Sequence, residues 1–345
     1  MLVPALREAG ANVDCLFSGR DPENFFNMEI FGKSSFRDGL RLVYRRGKLD
    51  PLKTAYDVAK RMPRLMFDIM NLEIDGYDLV LCDGELISSL AAKFSGKYCI
   101  DISNFNAMKC DIPKPDMSFL QKFGLNYVFT TPADQNIGMH WSDFGQKNIM
   151  PPFVAPKSEL EPGDPKKVLV YLNFEDLTDV KQLLKPFSTD YEFFIYSPDV
   201  QTDTDDGKMH FKAFSQVGFK SDMAICGKFI SNAGFSLTTE ALQEEKSLLV
   251  KPMAQQPEQI ANAMALKKLH LASTMDSLDE ITVGTFLDSG AAYNKISFPD
   301  TVKAIAQWII MQDWNSNSTA EIQPLIDNLW KQVQLKPAQI FSVQP

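Results

Sequence analysis

The sequence predicts an α/β protein of two Rossmann-like, doubly wound parallel-sheet domains. Three observations carry this. Short apolar runs alternate with helical stretches in both halves of the 345 residues. The helices between strands are long enough for right-handed crossovers, which place neighbouring strands parallel. A stretch with Pro151, Pro152, Pro156, Gly163 and Pro165 separates the halves, and proline punctuates more readily than it packs. The length also exceeds what one hydrophobic core usually serves.

In the first half, residues 2–9 read as a helix and 12–18 (NVDCLFS) as a strand. A helix-rich stretch covers 48–72. YDLVLCD (77–83) is a short apolar run of the kind that forms a buried parallel strand. LISSLAAKF (86–94) is helical, YCIDIS (98–103) is a strand, and NYVFTT (126–131) reads as the last strand of this half. The linker is expected at 151–165.

The second half alternates more clearly. VLVYLN (168–173), EFFIYS (192–197), MHFKAF (209–214), KFIS (228–231) and SLLVKP (247–252) are strands. Helices are expected at 176–187, 236–244 and 257–268, and a polar loop at 199–207. Helical spacing of apolar residues marks 300–312 and 320–332. The expected division is a first domain over 1–150, a second over 166–315 and a C-terminal helix and tail over 316–345, with the terminal helices candidates for returning to the first domain.

No run approaches the ~18 apolar residues of a membrane span, and the first residues lack the basic and apolar regions of a signal peptide. Cys15, Cys82, Cys99, Cys110 and Cys226 show no metal or redox spacing, so reduced thiols and a cytoplasmic location are expected. A net charge of −9 argues against nucleic acid as partner. Between Lys33 and Arg64, however, ten basic residues face three acidic ones, a local excess of seven. With Phe36, Leu40 and Tyr44 interleaved, 33–64 is a candidate for peripheral contact with the inner face of a membrane. A solvated helix pair packed on the first domain is the alternative.

Ligands of open α/β sheets bind beyond the carboxyl ends of the strands. Three such ends stand out. Phe214 and Ser215 follow one strand, where a ring could wall a nucleobase or serve as core. Asn232-Ala233-Gly234 leaves the next; Gly234 would allow a tight turn and close approach, and Ser236 could cap the following helix. That helix start suits a phosphate, and Glu240, a turn later, could accept two ribose hydroxyls. The third end carries Gln255, Gln256, Glu258 and Gln259 around a helix start at Pro257. Amides and carboxylates suit sugar hydroxyls, or simply solvent.

The order strand–NAGF–helix–EAL–LLVKP–EQ..NA over about 166–270 resembles the second half of GT-B fold glycosyltransferases, and most of all a glycosyltransferase-like family with that pattern. It is more distantly similar to the lipid II-forming N-acetylglucosaminyltransferase. The resemblance implies a nucleotide-sugar donor, with a UDP-sugar favoured, no cofactor and no metal. It implies that Phe214 flanks the base, Gly234 and Ser236 meet the diphosphate, Glu240 holds the ribose, Glu258 and Gln259 hold sugar hydroxyls, and Asn262 buttresses the loop. The activity implied is inverting glycosyl transfer in glycan biosynthesis, to a saccharide or lipid-linked acceptor.

Family members usually carry a first strand and a glycine loop ending in Gly-His, whose histidine is the usual base. The sequence matches only the region after that loop, and His140, His210 and His270 lie elsewhere. A sheet without that strand would be left with an edge or gap. Asp83 and Glu85 in CDGE are the substitute candidates for the base, or else strand-end and helix-capping residues. DTDD (203–206) superficially resembles a metal-binding DxD and reads as a solvated turn. A non-catalytic nucleotide-sugar binder is the first alternative function, and a sugar-nucleotide epimerase the second.

Overall fold

A computed structural model describes residues 1–345 except 26–27, 42–43, 46–47, 50, 117–130, 159–162, 290–292, 315–320 and 339–345. The chain forms two compact units. The first holds Met1–Ile112, Asp116–Phe153 and Pro299–Gln332; the second holds Pro113–Pro115, Val154–Phe298 and Val333–Pro345.

The first unit opens with α1 (Leu2–Glu8), β1 (Cys15–Phe17) and β2 (Ser34–Phe36). A short antiparallel hairpin comes next, β3 (Tyr44–Arg45) with β4 (Lys48–Leu49), and then α2 (Pro51–Met70). After these lie β5 (Val80–Cys82), α3 (Leu86–Ser95), β6 (Cys99–Ser103), α4 (Asn104–Ala107), β7 (Gln135–Met139) and β8 (Ile149–Met150). Strands β5-β6-β7-β8 form one parallel sheet in chain order, and β1 and β2 a separate parallel pair. Among the described residues the two sheets share no ladder. Side chains link them instead: Tyr77 donates to Asp14 at 2.6 Å and Ser18 to Glu85 at 2.7 Å. Every residue of β6 is buried, as a strand covered on both faces requires. The predicted strand at 126–131 lies outside the described residues except Thr131, which is not in a strand.

The second unit contains β9 (Asp164–Tyr171), α5 (Leu177–Leu184), β10 (Glu192–Tyr196), β11 (Thr204–Asp206), β12 (Met209–Lys212) and α6 (Gln216–Ile225). It continues with β13 (Cys226–Asn232), α7 (Phe235–Gln243), β14 (Ser247–Lys251), α8 (Pro257–Lys268), β15 (Ser273–Thr274), α9 (Glu280–Asp288) and β16 (Lys295–Ser297). Its seven-stranded sheet runs β11-β12-β10-β9-β13-β14-β15, parallel except for β11. The fully buried run Val168-Leu169-Val170 forms its centre, with Phe193, Ile230 and Leu249 packed alongside.

Two expectations change here. The segment 199–207 is not wholly loop: Thr204–Asp206 pairs antiparallel with β12 as an exposed edge strand. Its acidic side chains answer neighbouring bases, Asp203 with Lys212, Asp205 with His210 and Asp206 with Lys181, all within 3.2 Å. Charges on an edge also oppose further pairing. The end of the linker expected at 151–165 is already strand, because β9 begins at Asp164.

The chain then returns to the first unit. Helices α10 (Thr301–Ile310) and α11 (Gln323–Gln332) place Ile305, Ile309, Ile322 and Ile326 in one core with Leu6, Ile100, Ile102 and Ile137. So α10, which the sequence assigns to the second domain, packs with the first. Strand β17 (Gln334–Lys336) goes back to pair antiparallel with β16.

Candidate active site

Strand order in the second unit reverses at β9: β10 and β12 lie to one side, β13 and β14 to the other. The carboxyl ends of β9 and β13 therefore flank the crevice where such sheets bind ligands. The β13 end leads through Asn232-Ala233-Gly234 into α7, whose N-cap is Gly234 with no side-chain cap. A helix start without a cap leaves N–H donors and the positive dipole end open to an anion. The sequence expectation for Gly234 needs correcting. Its φ is −71, an ordinary value, so no special turn requires glycine. A Cβ there would meet no atom within 4 Å, so the missing side chain leaves open space before the helix. Ser236 does not cap the helix; it lies inside the first turn, exposed.

Two tethers hold this corner. Asn262 of α8 donates to the carbonyl of Ala233 at 2.9 Å, and Asn232 donates to the carbonyl of Lys251 at 3.2 Å. Around them, the side-chain oxygens of Asn173, Ser231, Asn232 and Thr238 are buried without a hydrogen-bond partner, a costly state unless a donor arrives. Lys251 at the end of β14 reaches Glu175 after β9 at 2.6 Å. Glu240 is exposed along its own surface, yet neighbouring protein displaces enough water to raise its carboxyl above the ordinary range, against the opposing pull of Lys220.

The other expected ligand groups divide. Phe214 is 61% exposed, so it is no core residue and its ring is open to stacking. The Ser215 hydroxyl is committed as the cap of α6, accepting from Gly218 N–H at 3.2 Å. The Gln259 carbonyl is likewise committed, accepting from Met253 N–H at 3.0 Å, which leaves only its amide nitrogen for a sugar. Gln255 is exposed, and Gln256 and Glu258 are half-buried at the start of α8.

In the first unit the two candidate carboxylates separate. Glu85 caps α3: it accepts from Ile87 N–H, Ser88 N–H and the hydroxyls of Ser88 and Ser18, all within 2.9 Å. Four donors fill its acceptor capacity, so Glu85 is corrected from candidate base to cap. Asp83, beyond the carboxyl end of β5, presents exposed surface but sits amid enough protein to be desolvated. That desolvation, with the charge of Asp101, raises its carboxyl to about 6, while a hydrogen bond from Ser103 opposes the rise. His140 is buried and held neutral by desolvation, down to about 3. In the basic stretch, Arg41, Arg61 and Arg64 are paired with Asp21, Asp38, Asp57 and Asp68.

The glycosyl transferase family 1 model matches residues 2–289. The chain belongs to that family. This glycosyltransferase is similar in fold to UGT89C1 of Arabidopsis thaliana, solved with quercetin: 14% identity, TM-score 0.58, covering 96% of this chain and 94% of that one. It is similar to LpCGTa, solved with UDP, at 15% identity and TM-score 0.56 over 96% and 94%. It is similar to MurG of Acinetobacter baumannii at 13% identity and TM-score 0.54 over the same shares. These are GT-B enzymes, so the twin-sheet α/β architecture is that of the GT-B fold. A search of curated proteins found no match. Among the described residues, no helix is long and apolar enough to cross a membrane.

Several polar groups of this glycosyltransferase escape a reading of its sequence. Glu175 and Lys251 come together only because β9 and β14 flank β13. Asp101 carries a visible signal, an acidic residue inside the apolar run CIDIS.

Proposed function

We propose that this glycosyltransferase transfers a hexosyl group from a UDP-sugar to an acceptor hydroxyl, on a saccharide or a lipid-linked carrier, with inversion and without a metal. The observation that carries the donor half is the uncapped start of α7 behind the open space at Gly234. The free N–H groups and the dipole there can neutralise a diphosphate. Glu240 is suited to the ribose hydroxyls and Phe214 to the uracil face. The UDP complex of the similar LpCGTa supports this choice of nucleotide.

Asp83 is the base of this reading. Its carboxylate takes the acceptor proton as the acceptor oxygen attacks the anomeric carbon. The anomeric C–O bond to the diphosphate breaks, and its electron pair leaves with the diphosphate. A carboxyl near 6 is a stronger base than an ordinary aspartate and is still mostly ionised at neutral pH. Peripheral membrane contact through 33–64 draws less support, since Arg41, Arg61 and Arg64 already have acidic partners.

Thermal unfolding with a panel of nucleotides and nucleotide sugars tests the donor half. A ligand at a hundredfold excess over its Kd stabilises the native state by about 2.7 kcal/mol. UDP and UDP-sugars are expected to raise Tm, and Glu240→Ala to abolish the rise. No shift with any nucleotide would overturn the reading.

A further inference from the structure

The Asp83 carboxyl does not stand alone. Behind it lies a buried polar network that the donor chemistry does not use. Asp101, 1% exposed at the centre of β6, accepts the backbone N–H of Gly84 at 2.9 Å on one oxygen. Its other oxygen accepts from Asn106 Nδ2 at 2.9 Å and from the hydroxyl of Thr131. Asn106, itself 4% exposed, also donates to the Asp101 carbonyl at 3.1 Å and accepts from Lys109 Nζ at 2.7 Å. The Asp101 side chain thus ties three different segments together by accepting from each of them.

Packing alone gives no reason for this group. Residues 100 and 102 on either side are isoleucines, each under 5% exposed, and a buried carboxylate is costly unless its interactions do something specific. What Asp101 touches is the turn that presents Asp83: its contact is to Gly84, the next residue after Asp83, which holds φ at +64. We infer that Asp101 is the positioning residue of Asp83, fixing through the Gly84 N–H the turn that presents the base and so setting the surroundings in which Asp83 titrates. This inference rests on the reading of Asp83 as the base.

The groups that face Asp83 define the effect. From β6 come the charge of Asp101 and the hydroxyl of Ser103. Beyond α4, Lys109 is coupled to the charge of Asp101 and bonded to Asn106. On the same turn, Glu85 is held by its four donors. Two carboxylates in one site resist being ionised together, so one retains its proton to higher pH. Asp101 is buried with both oxygens committed to the donors of Gly84, Asn106 and Thr131, whereas Asp83 presents exposed surface, so Asp83 is the carboxyl placed to exchange a proton with an acceptor.

The test is a carboxyl-carbon NMR titration of protein with labelled aspartate, beside the pH profile of nucleotide release from a UDP-sugar with water as acceptor. In wild type, the Asp101 signal is expected to move at the midpoint of Asp83. In Asp101→Asn, the Asp83 midpoint is expected to fall by about one unit, and the acid limb of the pH profile to move with it. If Asp101→Asn lowers Tm but leaves the Asp83 midpoint in place, or if the wild-type Asp101 signal ignores the Asp83 titration, the inference is overturned. The wild-type readout needs no variant and stands even if Asp101→Asn fails to fold. Full turnover in Asp83→Asn would instead remove the base assignment, while the titration would still decide the link between the two aspartates.

Discussion

Asn262 in the second turn of α8 and Ala233 at the end of β13 are joined by a buried 2.9 Å hydrogen bond, so two separate βα corners move as one. The bond aligns the open start of α7 with the polar start of α8. Replacing Asn262 by leucine would leave the Ala233 carbonyl buried without a donor, at a cost of about 1–3 kcal/mol. A lower Tm together with weaker UDP binding is expected by thermal unfolding and calorimetry. A lower Tm with unchanged affinity would mean that the tether serves only the fold.

Asp83→Asn should lose turnover and gain stability. A carboxyl raised to about 6 in the folded state binds its proton more tightly than the unfolded chain does. Its favourable contribution is therefore complete below the ordinary value of 3.8 and is lost as pH rises through about 6. Above pH 6 the variant should exceed wild type by about 1 kcal/mol, after discounting for the solvent that reaches this side chain. Below pH 4 the two should converge. Urea unfolding at both pH values measures the difference.

Glu85→Ala should have the opposite signature. It removes the cap of α3 and the bridge to Ser18, so a loss of about 1–2 kcal/mol is expected. The acid limb of the turnover profile should keep its midpoint, since Glu85 is not the proton acceptor in this scheme.

Phe214→Ala separates binding from folding. A ring 61% exposed contributes little to the core, so stability without ligand should change by less than about 0.5 kcal/mol, read as a near-constant Tm. UDP affinity should drop about tenfold if the uracil stacks there, a loss of one base–aromatic contact.

Much of the fold was legible in the sequence because parallel strands buried on both faces show as apolar runs. VLVYLN, SLLVKP and YCIDIS all mark real strands. Some helix starts were legible to the residue, as at Pro257, whereas the helices Gln216–Ile225 and Glu280–Asp288 were not read at all. The roles of small polar residues were not. Ser236 and Gly234 are two residues apart, and which one caps α7 depends on where β13 ends, not on residue type. Glu85 and Asp83 look alike in CDGE, but only one receives the N–H groups of α3. The edge strand Thr204–Asp206 has no apolar face to betray it, since all three residues are exposed.

The return of α10 and α11 to the first unit bears on how the protein is made. Ile305, Ile309, Ile322 and Ile326 complete a core begun by Leu6 and Ile100. On the ribosome the residues 154–298 of the second unit can fold as soon as they emerge, whereas the first unit must wait for these four isoleucines. The half synthesised first therefore cannot close its core until nearly the whole chain has emerged, and until then it holds its apolar sheet face open to chaperones or to misassociation.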